Sequence, residues 1–382
     1  MANQNLRIVV GGDTVPTKSN ENYLKKGQED VVFNEVKKIF SGADLAIVNL
    51  ECPLTTNDVP IKKFGPNIKA DPGSLEGLIN AGVNVFSLAN NHIMDYGPNG
   101  LEETINLINN SNIHLVGAGM NLERAREILH IEKKGYKINL ISVAEHEFSI
   151  AGESYPGANP FDPFDTLDDI RKSRQEVDLT IVLYHGGIEH YRYPSPPLQK
   201  LCRKMVQAGA DVVICQHSHC IGAYEKIENG HIVYGQGNLL FDYSNHPMWQ
   251  EELLVEILLK DRNIDINFVP IVKRDFAIDV ANGDEHIAIL SAFKERSDKL
   301  SDREFLKKEW VAFCESRKYQ YFYTFLNFGY IARKLDRVLR HLLSNVLLES
   351  DRFLVLYNFI FCEAHSDVQK TIFEQTYQKK WK

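Results

Sequence analysis

Leu183-Tyr184-His185-Gly186-Gly187, answered further on by Cys215-Gln216-His217-Ser218-His219, is the part of the chain that decides its fold. In each piece an apolar run, 179–183 and 212–215, stops at a loop that carries histidine. Open α/β sheets present ligands at such strand ends, so three imidazoles come to one edge of one sheet. In extended chain His217 and His219, at i and i+2, face the same side and suit one metal or two adjacent ones. The pattern equally fits a polar strand end whose histidines bond to backbone, and the neighbouring segments have to decide.

Upstream, the same arrangement recurs. Arg7-Ile8-Val9-Val10 reads as a buried strand that breaks at Gly11-Gly12-Asp13, leaving a carboxylate at its C-terminal end. A turn or N-cap aspartate would look alike. A helix is expected over 30–40, then a second apolar strand, 44–50, ending at Glu51. A third, 83–89, ends in Asn90-Asn91-His92. Helices are expected over 74–81, 101–109, 168–175 and 197–208, a hairpin over 131–143, and strands over 177–184, 211–215, 231–235 and 253–259. Strands and helices alternating in this way predict an α/β core over 1–282. The polar stretch 152–166 reads as a surface loop beside the site. Gly117-Ala118-Gly119 lacks the GxGxxG spacing of a dinucleotide fingerprint.

Beyond Asn282-Gly283-Asp284 the pattern turns almost wholly helical, and the charge changes sign with it. Residues 281–382 carry 17 basic against 14 acidic side chains, residues 1–280 carry 26 against 37. A helical C-terminal extension over 283–382 is therefore expected, rich in apolar and aromatic residues and packed on the core or on a partner. At 382 residues, 44% hydrophobic and 25% charged, the chain is an ordinary globular protein. A net charge of −8 opposes grip on a polyanion, so no nucleic acid partner is expected. The six cysteines form no CxxC pair and read as reduced thiols. Residues 1–6 are polar and lead straight into a strand, unlike a cleaved signal. The longest apolar run, 353–361, is too short to cross a bilayer, so no transmembrane segment is expected.

The candidates Asp13, Glu51, Asn91, His92, His185, His217 and His219 all lie at predicted strand ends. Two carboxylates, an amide and imidazoles suit one or two divalent ions such as Mn²⁺, Fe²⁺ or Zn²⁺, with Glu51 placed to bridge. His92, pointing away from Asn91, is a proton-donor candidate, with Asp95 at i+3 to orient it or cap the next helix. Glu189, His190 and Arg192 occupy a loop before Pro194, suited to substrate contact. Asn238 follows Gly237 at another sheet end.

Gly12-Asp13, Asn49-Leu50-Glu51, the run from Ser87 to His92 with Asp95 and Gly97, Gly117-Ala118-Gly119, His185-Gly186-Gly187 with Glu189, and His217-Ser218-His219 with Gly237-Asn238 together resemble the CapA family of capsule and poly-γ-glutamate biosynthesis proteins. That family is similar to the calcineurin-like metallophosphoesterases, and the resemblance implies two packed sheets flanked by helices. It also implies Asp13 as the first-motif aspartate, Glu51 in the bridging place, Asn91, His185 and His217 on one metal, His219 on the other, and His92 as proton donor. The general phosphoesterase pattern has a histidine where this chain has Val15, which leaves the ion count at one or two. The implied activity is a metal-dependent hydrolase cutting a phosphoester or amide bond, with an anionic polymer or phosphorylated small molecule as substrate and Glu189, His190, Arg192 and Asn238 as its contacts. The alternative is a noncatalytic metal-binding subunit for capsule polymer assembly or export, alongside other capsule-synthesis proteins. A cytoplasmic location, peripheral to the membrane if at it, is expected.

Overall fold

The structure is a computed structural model that describes residues 5–175 and 177–381. The polar start over 1–4 and the last residue of the expected extension lie outside the described residues. One sheet contains β1 (Leu6–Thr14), β2 (Leu45–Leu50), β3 (Val85–Ser87), β4 (His114–Val116), β13 (Asn238–Leu240), β14 (Glu251–Lys260), β15 (Asn263–Arg274) and β16 (Ala277–Val280). A second contains β6 (Leu129–Lys133), β7 (Tyr136–Ala144), β9 (Leu179–His185), β10 (Val212–Gln216), β11 (Tyr224–Ile227) and β12 (Gly230–Val233), and β5 (Ala118–Gly119) pairs with β8 (Gly157–Ala158) apart from both. The first sheet runs β16-β15-β14-β1-β2-β3-β4, with β13 also on β1, and the second runs β11-β12-β10-β9-β7-β6. β1 to β4 are parallel neighbours, as are β7, β9, β10 and β12.

Alternation along each strand decides the layering. Ile8, Val10, Leu45 and Ile47 face a shared core with Ile181, Leu183, Val212 and Ile214 of the other sheet. Val9, Ala46 and Val48 point the opposite way, into a core completed by helical Phe33, Phe40 and Leu78. Val182, Tyr184, Val213 and Cys215 do the same on the second sheet, against Cys202 and Met205 of the helix Pro196–Ala208. Because both faces of the central strands are covered, they read in sequence as unbroken apolar runs. The result is the two-sheet sandwich flanked by helices that the resemblance implies.

Several short strands, among them β11, β13 and β16, are absent from the sequence reading, and two larger features depart from it. The helix expected over 30–40 is two, Glu29–Phe33 and Val36–Ser41, because Asn34 between them takes φ 44° and donates its side-chain amide to the Ile278 carbonyl. The strand β15 is absent from that reading; it pairs along β14 through a turn with Asp261 and Arg262 at positive φ, and it alternates exposed and half-buried residues over much of its length.

The chain forms two compact units, 1–307 and 308–382. In the first, the helix Gly283–Asp298 lays Ile289 and Phe293 against Ile221, Leu253 and Val272. The second is helical, and within it the buried Asp336 carboxylate accepts from the Ser344 backbone N–H and hydroxyl (3.1 and 2.5 Å) while Tyr319 stacks on His341. Among the described residues no helix is long and apolar enough to cross a membrane. Phe293 is 5% exposed. Truncating such an aromatic typically costs about 3–5 kcal/mol, so Phe293→Ala should lower the unfolding free energy by about that much in denaturant titration. A change below about 1 kcal/mol would show that this helix contributes little to the first unit.

Candidate metal centre

Parallel pairing brings the strand ends to one place. Asp13 of β1 is in register with Asn49 of β2 and Asn238 of β13, and Gln216 of β10 with His185 of β9. The approach of β1 to the Gly237 segment depends on Gly12, where a Cβ would lie 2.4 Å from the Gly237 carbonyl oxygen. Gathered there are Asp13, Glu51, Asn91, His185, His217 and His219, all buried.

Their contacts divide into a braced part and an unpaired part. The Asp13 carboxylate accepts from the Asn49 amide (2.7 Å) and from the His217 backbone N–H (3.0 Å), and lies 3.5 Å from His219 Nδ1. His185 Nε2 is 3.0 Å from Asn91 Oδ1 and 3.5 Å from Glu51 Oε1, and Asn49 Nδ2 lies 3.1 Å from His185 Nδ1. His219 Nδ1 is 2.8 Å from Asn238 Oδ1. By contrast, both Glu51 oxygens and His217 Nδ1 are buried without a hydrogen-bond partner. A buried carboxylate whose oxygens accept no hydrogen bond is destabilising, and a cation bound by these atoms would remove that penalty. The residues therefore fit a metal ion. Glu51, His185 and His217 offer ligand atoms within 4.8 Å of one another, as do Asp13, Glu51 and His219. Glu51 is common to both groups, as a bridging carboxylate would be. Val15 is buried in the core, and its backbone N–H donates to Leu240 O.

The His217-Ser218-His219 segment is not extended chain. β10 ends at Gln216, and His217 and His219 take φ 86° and 51°, a left-handed conformation that is strained for non-glycine residues. The two rings reach the same cluster through this turn, their centroids 5.9 Å apart, and not through strand alternation.

Charge coupling follows from the packing. Burial pushes the Asp13 carboxyl up, but the His219 hydrogen bond, the nearby His185 and His219 charges and Asn49 outweigh it and hold it at about 2. Burial lowers His219, and Asp13 and Glu51 more than reverse this, to about 9. His185 is likewise raised, chiefly by Glu51 against the effect of burial. His217 is pushed well down by burial and by the neighbouring His185 and His219 charges.

Beside the cluster, His92 Nδ1 lies 2.6 Å from Asp95 Oδ2, and Asp95 is fully buried. His190 stacks on His246 at 4.4 Å, its Nε2 accepts from Trp249 Nε1, and its ring lies 6.3 Å from His219. Glu189 is exposed. Arg192 is half-buried, and its charge together with burial brings the Arg296 guanidinium down to about 10. Asn238 supports His219 and is itself buried, so its carbonyl faces a ligand candidate instead of open space.

Three participants escape a reading of the sequence. Asn49 ties Asp13 to His185, Glu147 lies 3.3 Å from the Asn91 amide and 3.9 Å from His217 Nε2, and Lys63 ion-pairs Asp95. Asn49 and Glu147 each had a signal. Asn49 is a polar residue inside an apolar strand, and β7 also ends in an acidic run, Glu145-His146-Glu147. Lys63 had none.

A two-sheet α/β sandwich flanked by helices, with a buried Asp, Glu and His cluster at its strand ends, is the class of protein that the fold and site define. The chain belongs to the bacterial capsule synthesis protein PGA_cap family, whose model matches residues 7–243. It is 28% identical over 273 residues to the capsule biosynthesis protein CapA of Bacillus anthracis, covering 69% of this chain and 66% of that protein. It is also 28% identical over 239 residues to the PGA biosynthesis protein CapA of Bacillus subtilis (strain 168), covering 60% and 62%. The match thus spans slightly less than two thirds of these relatives' length. Among solved structures, a hypothetical protein from Thermus thermophilus superposes with TM-score 0.46 at 14% identity, over 72% of this chain and all of that one.

Two outcomes check the centre. Purified protein should contain Mn, Fe or Zn by elemental analysis, and His217→Ala combined with His219→Ala should empty it; unchanged metal content would remove the assignment. In metal-depleted protein, His219 held at about 9 against an ordinary 6.5 contributes stability that is complete below pH 6.5 and lost as pH rises to 9. Asp13, held at about 2 against 3.8, contributes above pH 3.8 and loses that as pH falls to 2. Metal needs neutral imidazole, so the metal-loaded form should lack the alkaline loss. The melting temperature of chelator-treated protein should therefore fall between pH 6.5 and 9, and His219→Gln should flatten that fall; a flat parent profile would contradict the coupling.

Proposed function

We propose that the chain is a metal-dependent hydrolase of capsule, poly-γ-glutamate or related polymer biosynthesis, cutting an amide or phosphoester bond. The observation that carries this reading is the pair of ligand groups sharing Glu51, whose oxygens accept no hydrogen bond, set beside a histidine that a buried aspartate holds by one nitrogen. One or two divalent ions, Mn²⁺, Fe²⁺ or Zn²⁺, held by Asp13, Glu51, Asn91, His185, His217 and His219, would supply Lewis acidity toward water and the scissile group. The protein's own residues do the rest. Asp95 fixes His92 through Nδ1, which leaves Nε2 to give a proton to the leaving group. Arg192 and His190, from the loop beside His219, would meet an anionic substrate, with Glu189 at that loop's exposed end.

The substrate class follows from the relatives' names, which speak of capsule and PGA biosynthesis, and a γ-glutamyl polymer would make the bond an amide. A second reading has one observation in its favour. A Mycobacterium tuberculosis relative, 26% identical over 229 residues, bears the name probable polyglutamine synthesis accessory protein. On that reading the chain is a noncatalytic metal-binding subunit working with other capsule-synthesis proteins. We place either role in the cytoplasm, peripheral to the membrane if at it.

Turnover by the parent, with that of His92→Ala, separates the two. Loss of a general acid costs roughly 10²–10⁴-fold in rate while metal stays bound. The variant should keep its metal and lose turnover most on poor leaving groups, measured as phenyl against 4-nitrophenyl phosphate and as an unactivated against an activated γ-glutamyl amide, with a smaller loss for Asp95→Asn. Parent-like activity of His92→Ala on the unactivated members would remove the proton-donor role, and a parent that turns over none of these substrates would favour the noncatalytic subunit.

A further inference from the structure

Residues 57–68 carry an exposed Phe64 (90% exposed) and, next to it, Lys63, whose side chain is 2% exposed. Lys63 Nζ lies 2.5 Å from Asp95 Oδ1 and 3.0 Å from His92 Nδ1. The other Asp95 oxygen takes the Ile68 backbone N–H at 2.7 Å and faces His92 Nδ1 at 2.6 Å. An ammonium, a carboxylate and an imidazole therefore meet in one buried cluster beside the candidate metal centre.

One ring nitrogen cannot both donate to Asp95 and accept from Lys63. Asp95 Oδ2 already accepts from the Ile68 N–H, and at 2.6 Å a nitrogen lone pair facing it would be repelled. His92 Nδ1 therefore carries the hydrogen and donates to Asp95, and Lys63 ion-pairs the far oxygen of the same carboxylate, which accepts no hydrogen bond. The loop does not need Lys63 to stay in place. The Ile61 N–H and the Asn67 amide both donate to the Asp95 backbone carbonyl, and the Asn57 amide donates to that of Tyr96. A charge buried in a segment already tied down by neutral bonds calls for a role that its charge performs.

We infer that Lys63 is a positioning residue for His92: it holds the second oxygen of Asp95, so that the carboxylate keeps the His92 Nδ1–H bond and directs Nε2 outward. Removing it takes away the one cation paired with Asp95 Oδ1 among the described residues, so the carboxylate is free to turn, and turning releases the ring. The inference rests on reading His92 as the proton donor.

The test uses the full chain loaded with Zn²⁺, which is diamagnetic, and ¹⁵N-labelled histidine. In the parent, NMR should show a strongly downfield His92 Nδ1–H proton, identified by its absence from His92→Ala and lost in Asp95→Asn. Lys63→Met should keep its metal content and circular dichroism, lose that resonance, and lose about 10–10²-fold in kcat on phenyl phosphate with KM nearly unchanged. Combining it with His92→Ala should cost no more than His92→Ala alone. Lys63→Gln replaces Lys63→Met if the latter does not fold. An unchanged downfield resonance in a folded Lys63 variant, or losses that add in the double variant, would overturn the inference. If instead His92→Ala turns over like the parent while Lys63→Met still loses the resonance, the positioning stands and the proton-donor reading falls.

Discussion

Glu51 sits with no solvent exposure among His185, His217 and His219, and neither of its oxygens is hydrogen-bonded. Much of the architecture at this edge answers to that constraint. Ionised carboxylates are tolerated inside a protein only with opposite charge close by, and here Asp13 and Glu51 are set against imidazoles that they raise in turn. Burial pushes His217 the other way, and the His185 and His219 charges add more to this than Asp13 relieves. A cluster with such opposed demands is poorly balanced by protons alone and well balanced by a divalent cation.

A polar layer beneath the cluster keeps it in shape. Gln216 reaches from β10 to the Gly11 carbonyl and to Gln236, and Gln236 reaches the carbonyls of Val10 and Leu253, so the ends of the two sheets are joined by side-chain amides. Asn90 bonds Asn49 and the Leu50 carbonyl, which fixes the strand end that delivers Glu51. Glu252 accepts from the Gly12 N–H; burial raises its carboxyl well above the usual range, so it adds a hydrogen-bonding group without another full negative charge near Asp13. Amides and a neutralised acid brace the site without disturbing the charges that a cation would need.

The His92 corner is built differently. His92 and Asp95 are three residues apart on the segment entering the helix Gly97–Asn109, so their contact is local. Lys63 comes from a separate loop, and Asp95 binds that loop through its side chain and its backbone carbonyl alike. Membership of the PGA_cap family covers the strands and loops that make both corners, while residues beyond 243, including the helical unit 308–382, lie outside the family match.

Sequence by itself determined the α/β class and most of the residues gathered at the sheet edge. Strands covered on both faces must be continuously apolar, and each such run stops visibly where a polar residue begins, so Asp13, Glu51, His185 and His217 announce themselves. Tertiary structure alone decided how they meet. Register across β1, β2 and β13 sets Asn49 and Asn238 against Asp13, and no local pattern encodes which strands are neighbours. The left-handed turn at His217 and His219 replaced the strand alternation that their spacing implied. Lys63 looked like an ordinary loop lysine, because burial of a charge depends on what the loop folds against, and its partners Asp95 and His92 lie about thirty residues further along the chain.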